Sequence, residues 1–272
     1  TFEGLGGDDV ITGTGEIQIG YTQADAGVTV DLDLGTGQST DADDAAGVGV
    51  DTFTGVRSVN GSDYDDTLTG SDAEWESFRG GGGDDYIDGG SEGDTIMRPT
   101  GGGTDGWDRV DYLTSPSGVT VDLEAGTASD GYGGTDTLVN IEQVRGSDYD
   151  DTLLGSNERN SFRGRGGDDY IDGRGGDDRA DYWDAPDGVT VDLSQVNADG
   201  EVTASDGWGG TDTLISIENV QGSFADDVLR GDAGNNDLTG RAGDDYIDGG
   251  EGADFVSYWS DPDGVTVDLS SA

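Results

Sequence analysis

The sequence GGDDYIDGG occupies residues 82–90, and the near-copies GGDDYIDGR and AGDDYIDGG occupy residues 166–174 and 242–250. Each copy places two adjacent aspartates between glycines. The copies belong to longer series of nonapeptides, such as GSFADDVLR, GDAGNNDLT, GRAGDDYID and GGEGADFVS, which run end to end from Gly222. The nonapeptides share glycine at position 1, often glycine at position 4, an acid or asparagine at position 6, and an apolar residue at position 8.

This period predicts a repeat fold rather than an ordinary globule. Glycine tolerates positive φ, so we expect the first six residues to form a tight turn. The last three residues are expected to form a short strand, with the residue at position 8 pointing into a narrow core. Two nonapeptides, about 18 residues, would complete one coil, and stacked coils would pair their strands in parallel at about 4.8 Å. The sequence therefore predicts an all-β parallel solenoid.

A second, longer repeat is marked by GVTVDL at residues 27–32, 118–123, 188–193 and 264–269. Its alternation of Val and Leu with Thr and Asp indicates a half-buried strand. The segments that follow, such as GYGGTDTLV from Gly131 and GWGGTDTLI from Gly207, again fit the nonapeptide pattern. We therefore expect one continuous solenoid over residues 1–272, with long units of roughly 1–60, 61–145, 146–221 and 222–272, the first and last being partial.

Composition excludes several classes of function. The chain has 60 acidic and 12 basic residues, a formal net charge of −48, no His and no Cys, and 31% hydrophobic residues. Such a charge repels nucleic acid, and the sequence contains no apolar run long enough for a membrane span. Thiolate or imidazole zinc sites, disulfides and His-based catalytic triads are also excluded. Because few apolar side chains must offset strong self-repulsion, we expect a cation to complete the fold.

The nonapeptide resembles G-G-x-G-x-D-x-U-x, the hemolysin-type calcium-binding repeat of RTX proteins. The resemblance implies a right-handed parallel β-roll with Ca²⁺ in the turns, where the position-6 aspartate reaches two ions. Carboxylates and turn carbonyls together suit Ca²⁺, which prefers 6–8 oxygen ligands, whereas Mg²⁺ requires a stricter octahedral geometry. Calcium is therefore the expected cofactor.

Carried over by position, the resemblance implies ligand pairs one coil apart. These are Asp66 with Asp85, Glu76 with Asp94, Asp151 with Asp169, Asn160 with Asp178, Asp227 with Asp245, and Asn236 with Asp254. Further candidates are Asp9, Asp51, Asp108, Asp136 and Asp212. Glu76, Asn160 and Asn236 depart from the family pattern, and we expect weaker or missing ions beside the asparagines.

The resemblance also implies a function. We expect a secreted, extracellular or cell-surface structural or adhesive module that leaves the cell by type I secretion and folds on reaching calcium. The alternative is a non-catalytic repeat module of a secreted polysaccharide-acting enzyme, similar to those of alginate epimerases. Neither interpretation makes this segment an enzyme. Uncapped solenoid ends favour a slice of a longer protein or end-to-end self-association, and Trp107, Trp208 and the Tyr-Trp pairs allow an extracellular glycan as a further partner.

Overall fold

The computed structural model describes residues 2–3, 6–40, 45–73, 75–90 and 107–258. Throughout these ranges the regular structure consists of β-strands alone, joined in one sheet, and no helix that could cross a membrane is found there. The strands are β1 (Phe2–Glu3), β2 (Val10–Gly20), β3 (Val28–Asp31), β4 (Thr36–Ser39), β5 (Val50–Asn60), β6 (Thr67–Thr69), β7 (Ser77–Arg79), β8 (Tyr86–Asp88), β9 (Arg109–Asp111), β10 (Thr120–Asp122), β11 (Thr127–Ser129), β12 (Thr135–Val139), β13 (Gln143–Arg145), β14 (Thr152–Leu154), β15 (Ser161–Arg163), β16 (Tyr170–Asp172), β17 (Arg179–Asp181), β18 (Thr190–Asp192), β19 (Val202–Ser205), β20 (Thr211–Ile215), β21 (Asn219–Gln221), β22 (Val228–Arg230), β23 (Asp237–Thr239), β24 (Tyr246–Asp248) and β25 (Phe255–Ser257).

Parallel pairing between successive coils dominates the sheet. One uninterrupted parallel series runs β1, β2, β5, β7, β9, β13, β15, β17, β21, β23 and β25. Where nonapeptides run end to end, the register gives an offset of 18 residues, as between Thr152 and Tyr170 or between Val228 and Tyr246. The all-β roll predicted from the nine-residue period is confirmed.

The longer repeat adds antiparallel arms to the opposite side of the roll. Each GVTVDL strand there begins a parallel series. The three series are β3–β6–β8–β12, β10–β14–β16–β20 and β18–β22–β24. Between these segments, β4, β11 and β19 each pair antiparallel with both flanking strands. Coils that carry an arm contain more residues. Tyr86 of β8, for example, pairs with Thr137 of β12, an offset far greater than 18 residues. A uniform coil of about 18 residues therefore holds only outside the arms.

The core is the line of position-8 residues. Each three-residue strand between two turns points its middle side chain inwards, and Leu153, Phe162 and Leu229 are each fully buried. Ala180 is also fully buried and adds little apolar volume. Predicted core residues that are buried are Ile11, Leu68, Phe78, Ile87, Val110, Leu153, Phe162, Ile171, Leu229 and Leu238, while Ile247 and Val256 are half-buried and Ile96 lies outside the described residues.

Candidate metal centres

The position-6 side chains form hydrogen-bonded rows along the edges of the roll. Oδ1 of Asp169 accepts a 2.8 Å hydrogen bond from the backbone N–H of Asp151, one coil earlier, and Oδ1 of Asp85 does the same with Asp66 at 2.8 Å. We call this arrangement a carboxylate row. The same contact joins Asn160 N–H to Asp178 (2.7 Å), Asp227 N–H to Asp245 (3.0 Å) and Asn236 N–H to Asp254 (3.1 Å).

The predicted pair of Glu76 and Asp94 differs from the others. Asp94 lies outside the described residues. The backbone N–H of Glu76 donates instead to Oδ1 of Asp108 at 2.7 Å, because the insertion at 91–106 moves the next strand on this edge, β9, to residues 109–111. Asp108 is thus the residue that follows Glu76 in its row.

Turns with Ser at position 2 satisfy their own position-6 group, and we call them serine turns. Oδ2 of Asp151 accepts the N–H of Ser147 at 2.7 Å, and its Oδ1 accepts the Ser147 hydroxyl at 2.8 Å. The N–H of Val119 also donates to Oδ1 of Asp151 at 2.7 Å. With both oxygens bonded inside the protein, this carboxylate does not require a cation. Equivalent bonds from Ser62, Ser71, Ser156 and Ser223 satisfy Asp66, Glu76, Asn160 and Asp227. At Asn236 the position-2 residue is Asp232, whose N–H donates to Oδ1 of Asn236 at 2.9 Å.

Three turns with Gly or Arg at position 2 leave a carboxylate oxygen without a donor. Position 2 has positive φ in these turns, 112° at Gly81 and 86° at Arg165. Oδ2 of Asp85, Asp169 and Asp178 is buried and has no hydrogen-bond partner. We call these three groups the open carboxylates. An unpaired buried charge is expensive, so each one requires either a proton or a bound cation.

The position-1 glycines make room for these oxygens. A Cβ on Gly164 would lie 2.1 Å from Oδ2 of Asp169, and one on Gly173 would lie 2.6 Å from Oδ2 of Asp178. The Gly173 position also faces the carbonyl oxygen of Ser216 at 2.3 Å. The turns therefore form small cradles in which carboxylate and carbonyl oxygens converge.

A buried tyrosine hydroxyl closes the row beside each arm. The Tyr182 hydroxyl donates to Oδ2 of Asp212 at 3.0 Å, while Oδ1 of Asp212 accepts the N–H of Asp169 at 3.2 Å. Tyr112 with Asp136 and Tyr21 with Asp51 repeat the tyrosine contact at 2.9 and 3.0 Å. These three predicted ligands are therefore hydrogen-bonded through both oxygens.

Burial raises the pKa of each open carboxylate. Burial, together with the charge of Asp136, raises the pKa of Asp85 to about 8, and burial with the charge of Asp212 raises the pKa of Asp169 to about 9. Burial raises the pKa of Asp151 only to about 6, because hydrogen bonds from Val119 and Ser147 oppose it. Donors in the serine turn thus make the ionised form of Asp151 less unfavourable than that of Asp85 or Asp169.

Arginine neutralises other buried acids but not these. Burial tends to raise the pKa of Asp111, but Arg145 and Arg79 outweigh it and hold the pKa below its usual value. In the described part of the chain, no arginine forms an ion pair with Asp85, Asp169 or Asp178. Over the same residues, no three acidic side chains converge on one point. A cation would therefore be held by one or two carboxylates together with carbonyl oxygens.

Four acids outside the predicted set also take part in the site. Glu142 and Glu218 continue the rows by accepting the N–H of Asp108 at 3.0 Å and of Asp178 at 2.8 Å. Asp130 and Asp206 are fully buried, and Oδ2 of each has no partner. Glu142 and Glu218 lie at position 6 of the nine residues before Gly146 and Gly222, which lack the turn glycines, whereas Asp130 and Asp206 lie outside the position-6 register.

Asp9, Asp245 and Asp254 occupy the ends of the described rows. The N–H of Asp9 donates to Oδ1 of Asp51 at 3.0 Å. A Cβ on Gly240 would lie 2.2 Å from Oδ2 of Asp245, and one on Gly249 would lie 2.5 Å from Oδ2 of Asp254. The last two therefore have the same cradle as the open carboxylates.

A family model for the RTX calcium-binding nonapeptide repeat, which describes four copies of the repeat, matches residues 77–96, 145–180 and 221–256. The chain contains RTX calcium-binding repeats. The matched RTX segments include the turns of Asp85, Asp169, Asp178, Asp245 and Asp254. No curated protein sequence matches the chain.

The RTX turns suit calcium on the chemistry of their donors. The available groups are carboxylate and carbonyl oxygens, which are hard ligands, and buried oxygens without donors face the cradles. Calcium accepts such mixed oxygen sets in flexible geometry. Asp85, Asp169 and Asp178 are the residues that would hold the ion, and a bound ion would supply the charge that the protein does not.

The aromatic side chains lie beside arginines. Arg165 lies 4.7 Å from the centre of the Trp208 ring, and Arg163 lies 5.0 Å from that of Trp183. Cation–π contacts of this kind stabilise partly exposed rings. A glycan would therefore have to stack on the remaining face of each ring, and glycan binding stays a prediction.

Proposed function

We propose that this chain is a calcium-dependent structural module of a secreted protein, which forms a stiff roll only after it binds calcium outside the cell. The observation that carries the proposal is the set of open carboxylates, Asp85, Asp169 and Asp178, whose buried Oδ2 atoms have no donor. The position-1 glycine of each turn leaves room for its Oδ2, and at Gly173 the carbonyl oxygen of Ser216 faces the same space. A role in scaffolding or adhesion follows from a fold made of repeating coils.

Charge explains why folding would depend on the ion. At −48, with 31% hydrophobic residues, the unbound chain is strongly self-repelling and has little apolar surface to bury. Each bound Ca²⁺ would offset two negative charges. It would do so beside a buried carboxylate that otherwise requires a proton. Because metal binding to such sites is coupled to folding, the free energy of binding would become free energy of folding.

Affinity explains where folding would occur. Extracellular calcium modules typically bind with a Kd of roughly 10⁻⁴ to 10⁻³ M, well above cytosolic calcium. An unbound, extended chain suits export in an unfolded state. The chain would then fold on meeting millimolar calcium outside the cell and serve there as a rigid spacer or an adhesive surface.

Circular dichroism with and without calcium tests this proposal. We expect β-structure in about 2 mM CaCl₂, its loss in EDTA, and its return when calcium is added back. Magnesium at the same concentration is the control for general charge screening and should restore much less. Equal β content in EDTA and in calcium would overturn the proposal.

A further inference from the structure

The GVTVDL arms carry an acid that the nonapeptide pattern does not explain. We propose that Asp130 and Asp206, which belong to the arms, each complete a cation site with the open carboxylate of the coil beneath, Asp85 and Asp169 respectively. The inference rests on the proposed calcium function and extends it to residues outside the nonapeptides. In this arrangement, a bound cation connects each arm to the coil beneath it.

Asp130 has one oxygen engaged and one free. Its Oδ1 accepts the backbone N–H groups of Tyr132, Gly133 and Gly134 at 2.9, 2.8 and 2.8 Å, which fixes the turn before β12. The side chain is fully buried, and its Oδ2 has no donor. A residue needed only to cap the turn would not have to bury a second, unpaired oxygen.

The Asp130 turn stacks directly on the turn of Asp85. Oδ1 of Asp84 accepts the N–H of Thr135 at 2.8 Å, and the N–H of Asp85 donates to Asp136 at 3.3 Å. A Cβ on Gly134 would lie 2.0 Å from the carbonyl oxygen of Gly83 and 3.0 Å from Oδ2 of Asp130. These two oxygens thus face the same small space between the coils.

No arginine forms an ion pair with Asp85 or Asp130 among the described residues. Two unpaired buried carboxylate oxygens beside a carbonyl are the donor set of a hard divalent cation. A cation between them would satisfy both oxygens at once.

The next long unit repeats the arrangement. Oδ1 of Asp206 accepts the N–H groups of Trp208, Gly209 and Gly210 at 2.9, 3.0 and 2.9 Å, and its buried Oδ2 has no donor. A Cβ on Gly210 would lie 2.2 Å from the carbonyl oxygen of Gly167 and 2.9 Å from Oδ2 of Asp206. Because the same turn geometry recurs at Asp130 and Asp206, the unpaired Oδ2 is a regular feature of the arm.

Counting bound calcium in variants of the 272-residue chain tests the proposal. Native mass spectrometry at saturating calcium gives the number of ions per chain. Asp130→Asn keeps the oxygen that caps the turn and replaces Oδ2 by a group that cannot ligate a cation, so we expect the loss of one ion. The combination of Asp130→Asn and Asp206→Asn should lose two.

The pairing of residues has a sharper test. If Asp130 and Asp85 share one ion, Asp85→Asn alone, Asp130→Asn alone and the double variant should each lose the same single ion. Loss of two ions from the double variant would overturn the shared site. Asp63→Asn, which removes an exposed carboxylate, is the matched control and should lose none.

Failure of this inference differs from failure of the proposed function. An unchanged ion count in both Asp130→Asn and Asp206→Asn, in a protein that still folds with calcium, would reduce these residues to turn caps. A wild-type chain that binds no calcium would overturn the calcium function itself. Circular dichroism in calcium checks folding, and if one variant fails to fold, the other gives the same test in a separate unit.

Discussion

The backbone N–H of Asp151 donates to Oδ1 of Asp169 at 2.8 Å, yet the two carboxylates are in opposite states. Ser147 satisfies both oxygens of Asp151, whereas Oδ2 of Asp169 is buried without a donor. The two residues occupy the same position of consecutive coils. The residue at position 2 of the turn, and the backbone conformation it adopts, therefore distinguish a self-satisfied carboxylate from one that needs a cation.

The first prediction compares these two aspartates. Asp169→Asn should remove one bound calcium per chain, because it takes away the oxygen that lacks a protein donor. Asp151→Asn removes the same formal charge from a serine turn and should leave the ion count unchanged. Calcium titration calorimetry, read as stoichiometry, distinguishes the two. Equal losses in both variants would mean that serine turns bind calcium as well.

The second prediction concerns pH in the absence of calcium. The pKa values of Asp85 and Asp169 in the folded chain are raised to about 8 and about 9, against about 3.9 when unfolded. The folded state therefore binds protons more tightly, so its stabilisation is fully present below about pH 4 and is lost as the pH rises through about 9. In EDTA the chain is therefore expected to fold only towards acid pH, and its melting temperature should fall as the pH rises from 5 until no folded state remains.

A variant control separates this effect from general repulsion. Acid also reduces the net negative charge, which favours folding by itself. The combined Asp85→Asn and Asp169→Asn variant lacks the two titrating groups and should show a flatter dependence on pH between 5 and 9. A wild-type melting temperature that rises with pH in EDTA would contradict the prediction.

The third prediction tests the tyrosine closures. Tyr182→Phe leaves Oδ2 of the buried Asp212 without its donor, which should cost roughly 1–3 kcal/mol in the free energy of unfolding. Tyr149→Phe removes a hydroxyl from an exposed ring and should cost little. Denaturant unfolding in calcium measures both. A loss of stability no greater than that of Tyr149→Phe would show that the closure is unimportant.

The fourth prediction concerns the position-1 glycines. A Cβ on Gly164 would lie 2.1 Å from Oδ2 of Asp169, so Gly164→Ala should displace the carboxylate, weaken calcium binding and destabilise the coil by about 1–3 kcal/mol. Gly175→Ala is the control, since the nearest atom to its Cβ, Oδ1 of Asn157, lies 3.3 Å away. Calcium affinity and unfolding should both stay close to wild type in the control.

The nonapeptide phase was sufficient to predict the fold. A glycine turn followed by three residues with a central apolar side chain can bury that side chain only if neighbouring coils stack, and Leu153 and Leu229 are fully buried as that logic requires. The arms were harder to predict, because β11 and β19 pair antiparallel with strands that are close in sequence. Nothing in a nine-residue period indicates that reversal.

The position-6 residues were predicted to lie together, and the described rows bring them together. Their differing needs for a cation were not predicted. Ser against Gly or Arg at position 2 was a readable signal, since a serine turn brings an N–H and a hydroxyl to the carboxylate. The tyrosine closures had no local signal, because Tyr182 lies 30 residues from Asp212.

By itself, the sequence determined the spacing of turns and strands, the glycines that admit a close carboxylate, and the edges along which the acids align. These properties are local, since they follow from the conformational freedom of glycine and the alternation of side chains along a strand. Serine at position 2 marks the turns that satisfy their own acid, but only the tertiary structure decided which of the remaining acids are buried without a donor. That difference depends on donors brought from neighbouring coils and from the arms, as Asp130 shows by its free oxygen above Gly83.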